Sequence, residues 1–224
     1  MKDTKKITDK NTKKGTIKIA GLELTLGNSK LPITTAILNM GTAHNCPSDK
    51  CGLCPFGING KGRLKNKCYA LKSEYMYVNT KLMRERQEKY WLETPTKTIV
   101  DHFNYAFQTG KKGKEINAVR FNESGDFHSK ECLTKLKKIA KAFPNIEFYT
   151  YTHRSDIMKS VTVNSLPTNL NINLSYVNNK KGFNTFCLDT QFKPETKTLT
   201  CTKCFKGCTL CHKAKGLNIA VKIH

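Results

Sequence analysis

The sequence predicts an α/β protein: a partial, open TIM-like barrel of mainly parallel strands with a cysteine-rich C-terminal segment. Two observations carry the fold class. Short apolar or alternating runs of strand length regularly give way to longer runs with helical periodicity, the order that builds a parallel sheet with crossover helices. The chain has 224 residues, enough for one substantial core, and α/β barrels near this size commonly form one domain. A third observation concerns function. All but one of the ten cysteines fall in two dense groups, whereas cysteines that only fill cores are scattered.

Residues 1–15 are rich in Lys, Thr, Asp and Asn and poor in apolar side chains, which predicts a flexible basic arm. Residues 16–224 then form a single α/β domain that includes a cysteine-rich tail over residues 187–212. Thr16–Ala20 and Leu22–Leu26 alternate around Gly21 as two short strands, and Ile33–Met40 reads as a more buried strand that runs into the first cysteine loop. Residues 55–67, with Gly57, Gly60 and Gly62 among Lys61, Lys65 and Lys67, read as an exposed basic excursion. Val78–Leu92 is predicted helical and stops near Thr94-Pro95; Thr96–Thr109 is a second helix closed by Gly110.

Asn117–Asn122 reads as a strand, followed by the loop Glu123-Ser124-Gly125-Asp126 and a helix over Ser129–Phe143. Strands over Ile146–Tyr151 and Leu170–Tyr176 flank a short helix near Asp156–Ser160. In α/β sheets the functional loops lie at the carboxyl ends of the strands. Parallel strands would therefore put the first cysteine loop, the Ser-Gly-Asp loop, His153-Arg154 and Ser175 on one face. Gly125 and Asp126 are also ordinary turn formers.

The first cysteine group is Cys46-x4-Cys51-x2-Cys54 followed by Cys68, and the second is Cys201-x2-Cys204-x3-Cys208-x2-Cys211 with Cys187 upstream. Cys132 stands apart in an amphipathic helix pattern. The N-terminal stretch is polar, without the apolar run of about 7 to 15 residues of a secretory signal, and no run approaches the roughly 18 residues of a membrane span. These features predict a cytoplasmic protein with no membrane partner. Thiols are reduced there, so the spacing favours metal binding over disulfides. Thiolates on short Gly/Pro-rich loops can converge on zinc or on an iron–sulfur cluster. Cys208-Thr209-Leu210-Cys211-His212 also matches the haem-attachment pattern, which the neighbouring Cys201 and Cys204 and the polar N-terminus argue against. His212 reads as an exposed neighbour and Cys187 as a buried small hydrophobe.

Lys and Arg number 39 against 17 Asp and Glu, a net charge of +22. That bias draws a protein to polyanions, so nucleic acid is a candidate partner, beside the plainer reading of a solvated surface. Arginine occurs only at Arg63, Arg84, Arg86, Arg120 and Arg154.

Cys46-Pro47-Ser48, Gly52-Leu53-Cys54, Cys68-Tyr69-Ala70-Leu71-Lys72-Ser73-Glu74, Arg84-Glu85-Arg86-Gln87 and Ser124-Gly125-Asp126 together resemble the phage-encoded family catalogued as gene product 88. Tyr149–Thr152 and the cysteine-rich tail fit as well. The resemblance runs from about Thr34 to the C-terminus. Members of that family look similar to radical S-adenosylmethionine enzymes, whose partial barrels hold a 4Fe-4S cluster at the strand-end face. The resemblance implies Cys46, Cys54 and Cys68 as ligands with Cys51 as a fourth candidate; the spacing of Cys201, Cys204, Cys208 and Cys211 itself allows one tetrahedral zinc or a second cluster. The resemblance also implies an S-adenosylmethionine contact at Ser124, Gly125 and Asp126, with Asp126 or Glu123 on the cofactor's ammonium. The usual loop spacing is three residues and then two with an aromatic before the last cysteine, and this chain departs from both.

A four-cysteine site would be closed, and suits structure or electron transfer better than radical initiation. The sequence therefore favours a phage-related cluster-binding protein, without enzymatic activity, that contacts nucleic acid or a phage or host replication protein. A radical enzyme modifying a nucleic acid or peptide, and a zinc-stabilised nucleic-acid binder, are the alternatives. Tyr69 is expected to pack over the cluster, and Glu74 with Arg84 to form an ion pair.

Overall fold

The computed structural model describes residues 15–175, 180–188, 196–201 and 208–221. The predicted basic arm and Cys204 therefore lie outside the described residues, apart from Gly15. A nine-stranded sheet forms the frame, in the order β1-β2-β3-β4-β5-β6-β7-β9-β8. Its strands are β1 (Thr16–Ile19), β2 (Leu22–Leu26), β3 (Thr35–Leu38), β4 (Ala118–Phe121), β5 (Glu147–Thr152), β6 (Leu170–Ser175), β7 (Asn184–Leu188), β8 (Leu199–Thr200) and β9 (Asn218–Val221). The β1–β2 and β2–β3 pairs are antiparallel, and every later pair is parallel. The edges β1 and β8 do not pair, so the sheet is open, mixed and mostly parallel.

The helices are α1 (Pro47–Lys50), α2 (Tyr69–Met76), α3 (Val78–Glu93), α4 (Thr96–Gln108), α5 (Gly110–Lys114), α6 (Lys130–Ala142) and α7 (Ser155–Met158). The cysteine loop and α1–α5 all fall in the crossover from β3 to β4, α6 joins β4 to β5, and α7 lies between β5 and β6. Among the described residues no helix separates β6 from β7, a departure from the strand–helix repeat of a TIM-like barrel.

The two faces of the sheet have opposite chemistry because strand side chains alternate. Val119 and Phe121 on β4, Phe148 on β5, and Leu170, Ile172 and Leu174 on β6 are buried in one core with Trp91, Ile99, Phe103, Leu136 and Ile139. Burying each of the larger aromatics contributes about 2–3 kcal/mol. Trp91 and Phe121 meet edge to face at 5.4 Å, an arrangement that aromatic quadrupoles favour. The alternate positions on the other face are Arg120, Tyr149, Tyr151, Asn171, Asn173 and Asn184. Register brings them together, with Arg120 opposite Tyr149, Tyr149 opposite Asn171, Tyr151 opposite Asn173, and Asn173 opposite Asn184.

Candidate functional site

The first cysteine group lies beyond the carboxyl end of β3, as parallel β3–β4–β5 pairing requires. Two short helices begin at its cysteines. Cys46 is the residue before α1 and Cys68 the residue before α2, so both sulfurs sit beside the first amides of a helix. The amides of Ser48 and Asp49 act on the Cys46 sulfur, those of Phe56 and Gly57 on Cys54, and those of Ala70 and Leu71 on Cys68. Cys54 also lies within electrostatic reach of both Cys46 and Cys68. Burial pushes the Cys46 and Cys54 thiols up to about 12, and raises Cys68 as well.

Hydrogen bonds fix the intervening loop. Asp49 is buried, and its carboxylate accepts from Ile58 N at 3.1 Å, Asn59 N at 3.0 Å and Asn59 Nδ2 at 3.2 Å. Gly57 is required there because a Cβ would stand 2.0 Å from Asp49 Oδ1. Cys68 N donates to the Phe56 carbonyl at 2.9 Å and Cys54 N to the Ser48 carbonyl at 3.0 Å. Cys51 is different. It is exposed, and it lies within electrostatic reach of Arg154.

Glu74 of α2 holds this loop to the strand ends. Its carboxylate accepts from Ala43 N at 2.8 Å, His44 Nδ1 at 2.7 Å, Arg84 Nη1 at 2.9 Å and Ser124 Oγ at 3.2 Å. Burial pushes the Glu74 carboxyl up, but these donors outweigh it and leave the group below its ordinary value. The expected Glu74–Arg84 ion pair is thus present, as part of a buried hub. Tyr69 is exposed, and its hydroxyl donates to the Glu123 carbonyl and accepts from Arg120 Nη2 at 3.4 Å.

The Ser-Gly-Asp loop packs against the same region. Ser124 N donates to Asn39 Oδ1 at 2.7 Å. Gly125 has φ +75° and a Cβ there would stand 2.7 Å from Gly41 backbone atoms, so the loops after β3 and β4 touch backbone to backbone. Asp126 is buried and accepts from Thr152 Oγ1 at 2.6 Å, His153 N at 2.8 Å and Phe127 N at 2.7 Å, with Ser48 as a further donor. Burial raises its carboxyl despite these donors. Ser48 Oγ is in turn 3.1 Å from Cys46 Sγ. Asp126 therefore ties the cysteine loop to the end of β5, and both its oxygens already have donors within the protein.

Among the described residues no three His, Cys, Asp or Glu side chains converge on one ion position.

The second group is arranged otherwise. Cys187 lies half-buried on β7, and Cys201 follows β8 with its amide on the Ala220 carbonyl at 2.9 Å. Cys208 and Cys211 belong to a turn laid on the polar face of the sheet. Asn171 Nδ2 donates to the Cys211 and Ala214 carbonyls at 3.0 and 2.7 Å, Asn173 Nδ2 to Cys211 at 2.9 Å, and Asn184 Nδ2 to Leu210 and Ala214 at 3.2 and 2.8 Å. His212 is not the exposed neighbour the sequence suggests. It is half-buried with its ring 5.4 Å from Tyr149, and burial lowers its pKa.

Sequence reasoning missed Asp49, the asparagine ladder and Arg120. Two of these had a signal: Asn171 and Asn173 alternate within a strand whose other face is apolar, and Arg120 is a rare arginine in a lysine-rich chain.

A family model described as Gene product 88 matches residues 2–194. No curated protein matches the chain, and no solved structure does. No helix among the described residues is long and apolar enough to cross a membrane.

Proposed function

The chain belongs to the Gene product 88 family, and we propose that it is an iron–sulfur protein whose 4Fe-4S cluster is held by Cys46, Cys54 and Cys68 at the strand-end face of the sheet. One arrangement carries this reading: the loop held by Asp49 brings Cys54 within electrostatic reach of both Cys46 and Cys68, with Cys46 and Cys68 each at the start of a helix. In the metal-free protein burial keeps the thiols protonated, and amide donors stabilise the thiolate form that a metal centre requires. Asp49 and Glu74 hold the loop that carries the three sulfurs, and Asp126 positions Ser48 beside Cys46. When bound, the cluster supplies one-electron transfer. The partner is a polyanion, with nucleic acid the best match to a net charge of +22.

Anaerobic purification with iron, acid-labile sulfide and zinc analysis tests the centre. Brown protein with matched iron and sulfide is expected. Colourless protein with stoichiometric zinc and no sulfide, after expression with ample iron, would reject it. A filter-binding series in salt tests the partner, with affinity for single- or double-stranded nucleic acid expected to fall steeply as salt rises. No binding at low salt would leave the charge as a solubility feature.

A second reading rests on Cys51. Its exposure and its place beside Arg154 leave three cysteines for four irons, the ligand count of a radical S-adenosylmethionine enzyme. Release of 5′-deoxyadenosine from S-adenosylmethionine by the reduced protein would establish this reading, and its absence with a fully loaded cluster would exclude it.

A further inference from the structure

The polar face of the sheet carries a feature that the cysteine centre does not use. A cavity of about 650 Å³ opens there, and its charged lining is Lys30, Arg120 and Lys213 against Glu147. Arg84, Arg86 and Arg154 each have a carboxylate partner, at 2.9, 3.1 and 2.8 Å. Arg120 makes no ion pair among the described residues. Arg120 is half-buried; among the described residues its Nη2 donates to the Tyr69 hydroxyl at 3.4 Å, its guanidinium lies 5.3 Å from the centre of the Tyr151 ring, and its Nε is buried without a hydrogen-bond partner. The nearby Glu123 acts on it through space while its own carboxylate accepts from Asn28 Nδ2 at 2.6 Å.

Withdrawing a guanidinium from water without a counter-ion is expensive. A folded protein keeps such a group in a cavity most readily where an anion completes it. The planar fork of arginine matches phosphate oxygens, and the excess of Lys30 and Lys213 over Glu147 favours a dianion over a monoanion. The volume suits a small molecule and not a polymer. We infer that this cavity binds a small phosphate dianion, either free phosphate or the phosphate group of a phosphomonoester, with Arg120 as the recognising residue. The inference does not rest on the cysteine centre.

Isothermal titration of the full chain at physiological salt, where surface binding is screened, provides the test. Inorganic phosphate and adenosine monophosphate are the probes, with malonate as a dicarboxylate control. Saturable binding of one phosphate ligand per chain is expected, weakened at least tenfold in Arg120→Gln and unchanged in Lys97→Gln, which alters an exposed lysine on α4. Tighter binding of the nucleotide than of phosphate would identify a monoester site, and equal binding a free-phosphate site. If circular dichroism shows Arg120→Gln to be misfolded, Arg120→Lys keeps the charge, removes the fork and is expected to weaken binding several-fold. No saturable binding by the wild type, undiminished binding by a folded Arg120 variant, or malonate binding as tight as phosphate would overturn the inference.

Discussion

The two cysteine groups differ less in spacing than in what the backbone around them does. Around Cys46, Cys54 and Cys68 the chain turns its amides toward the sulfurs and closes the loop on the buried carboxylate of Asp49. Around Cys208 and Cys211 the chain offers its carbonyls instead, and the amides of Asn171, Asn173 and Asn184 take them. The first arrangement stabilises negative sulfur. The second fastens a turn to the sheet. Cysteine spacing alone does not reveal this difference in the direction of the peptide groups.

The largest effect that can break this comparison comes from the sulfurs themselves. Cys46→Ala, Cys54→Ala and Cys68→Ala should each remove most of the visible absorbance and bound iron of anaerobically prepared protein. Cys51→Ala and Cys132→Ala should keep both. Loss of the spectrum in Cys51→Ala would mean that the exposed thiol turns inward to a four-cysteine centre. Retention in all three of the first variants, with loss in Cys208→Ala or Cys211→Ala, would reverse the assignment of the two groups.

Next comes the loop clamp. Asp49→Ala leaves two backbone amides and the Asn59 side chain without their acceptor, which costs about 3 kcal/mol given that hydrogen bonds to charged groups are the strong ones. Urea denaturation of the metal-free protein should show the loss, and cluster loading should fall with it. Unchanged stability would show that Asp49 does not hold the loop.

Acid should loosen the first region through His153, whose ring lies 6.4 Å from that of Phe56 in the cysteine loop. Burial lowers its pKa from the ordinary 6.5 to about 4. The unfolded chain therefore binds the proton first. Stability from this group is complete above pH 6.5 and is lost as the pH falls toward 4, by about 3 kcal/mol. Melting temperatures of the metal-free protein across that window should fall, and His153→Gln should flatten the fall. An unaltered slope in the variant would assign the acid sensitivity elsewhere.

Much of this frame is legible in the sequence, and the illegible parts share a cause. α3, α4 and α6 could be read because Pro95 and Gly110 bound the first two and a regular apolar stripe marks the third. β4, β5 and β6 could be read because one side of each is apolar. α2 could not, since it buries only Ala70, Leu71 and Glu74 and shows Tyr69, Tyr75 and Met76 to solvent. β7 and β9 are short strands that flank the cysteine-rich tail, and neither shows a long alternation. Thiolate chemistry and spacing marked the two cysteine groups as candidates, and the family resemblance singled out Cys46, Cys54 and Cys68. The work of Asp126 was not, because its donors come from Thr152 and His153, which only the parallel β4–β5 pairing brings to it.

The smallest effect sharpens the comparison from the other side. Asn184 Nδ2 donates to the Leu210 and Ala214 carbonyls at 3.2 and 2.8 Å and to Asn173 Oδ1 at 3.0 Å, and its Oδ1 accepts from Leu217 N at 3.0 Å. Asn184→Ala removes these contacts at a buried position, but water can reach the freed carbonyls of a turn at the rim of the sheet, so the net loss is about 1 kcal/mol. It should appear locally. Amide exchange over residues 208–217 should quicken, while exchange in the Cys46–Cys68 loop, iron content and visible spectrum stay as in the wild type. Because the two regions share no hydrogen bond through Asn184, additivity with Asp49→Ala is also expected. A double variant whose loss of stability clearly exceeds the sum of the two would show that the docked turn and the cysteine loop are one cooperative unit, and the contrast between them would then describe two halves of a single centre.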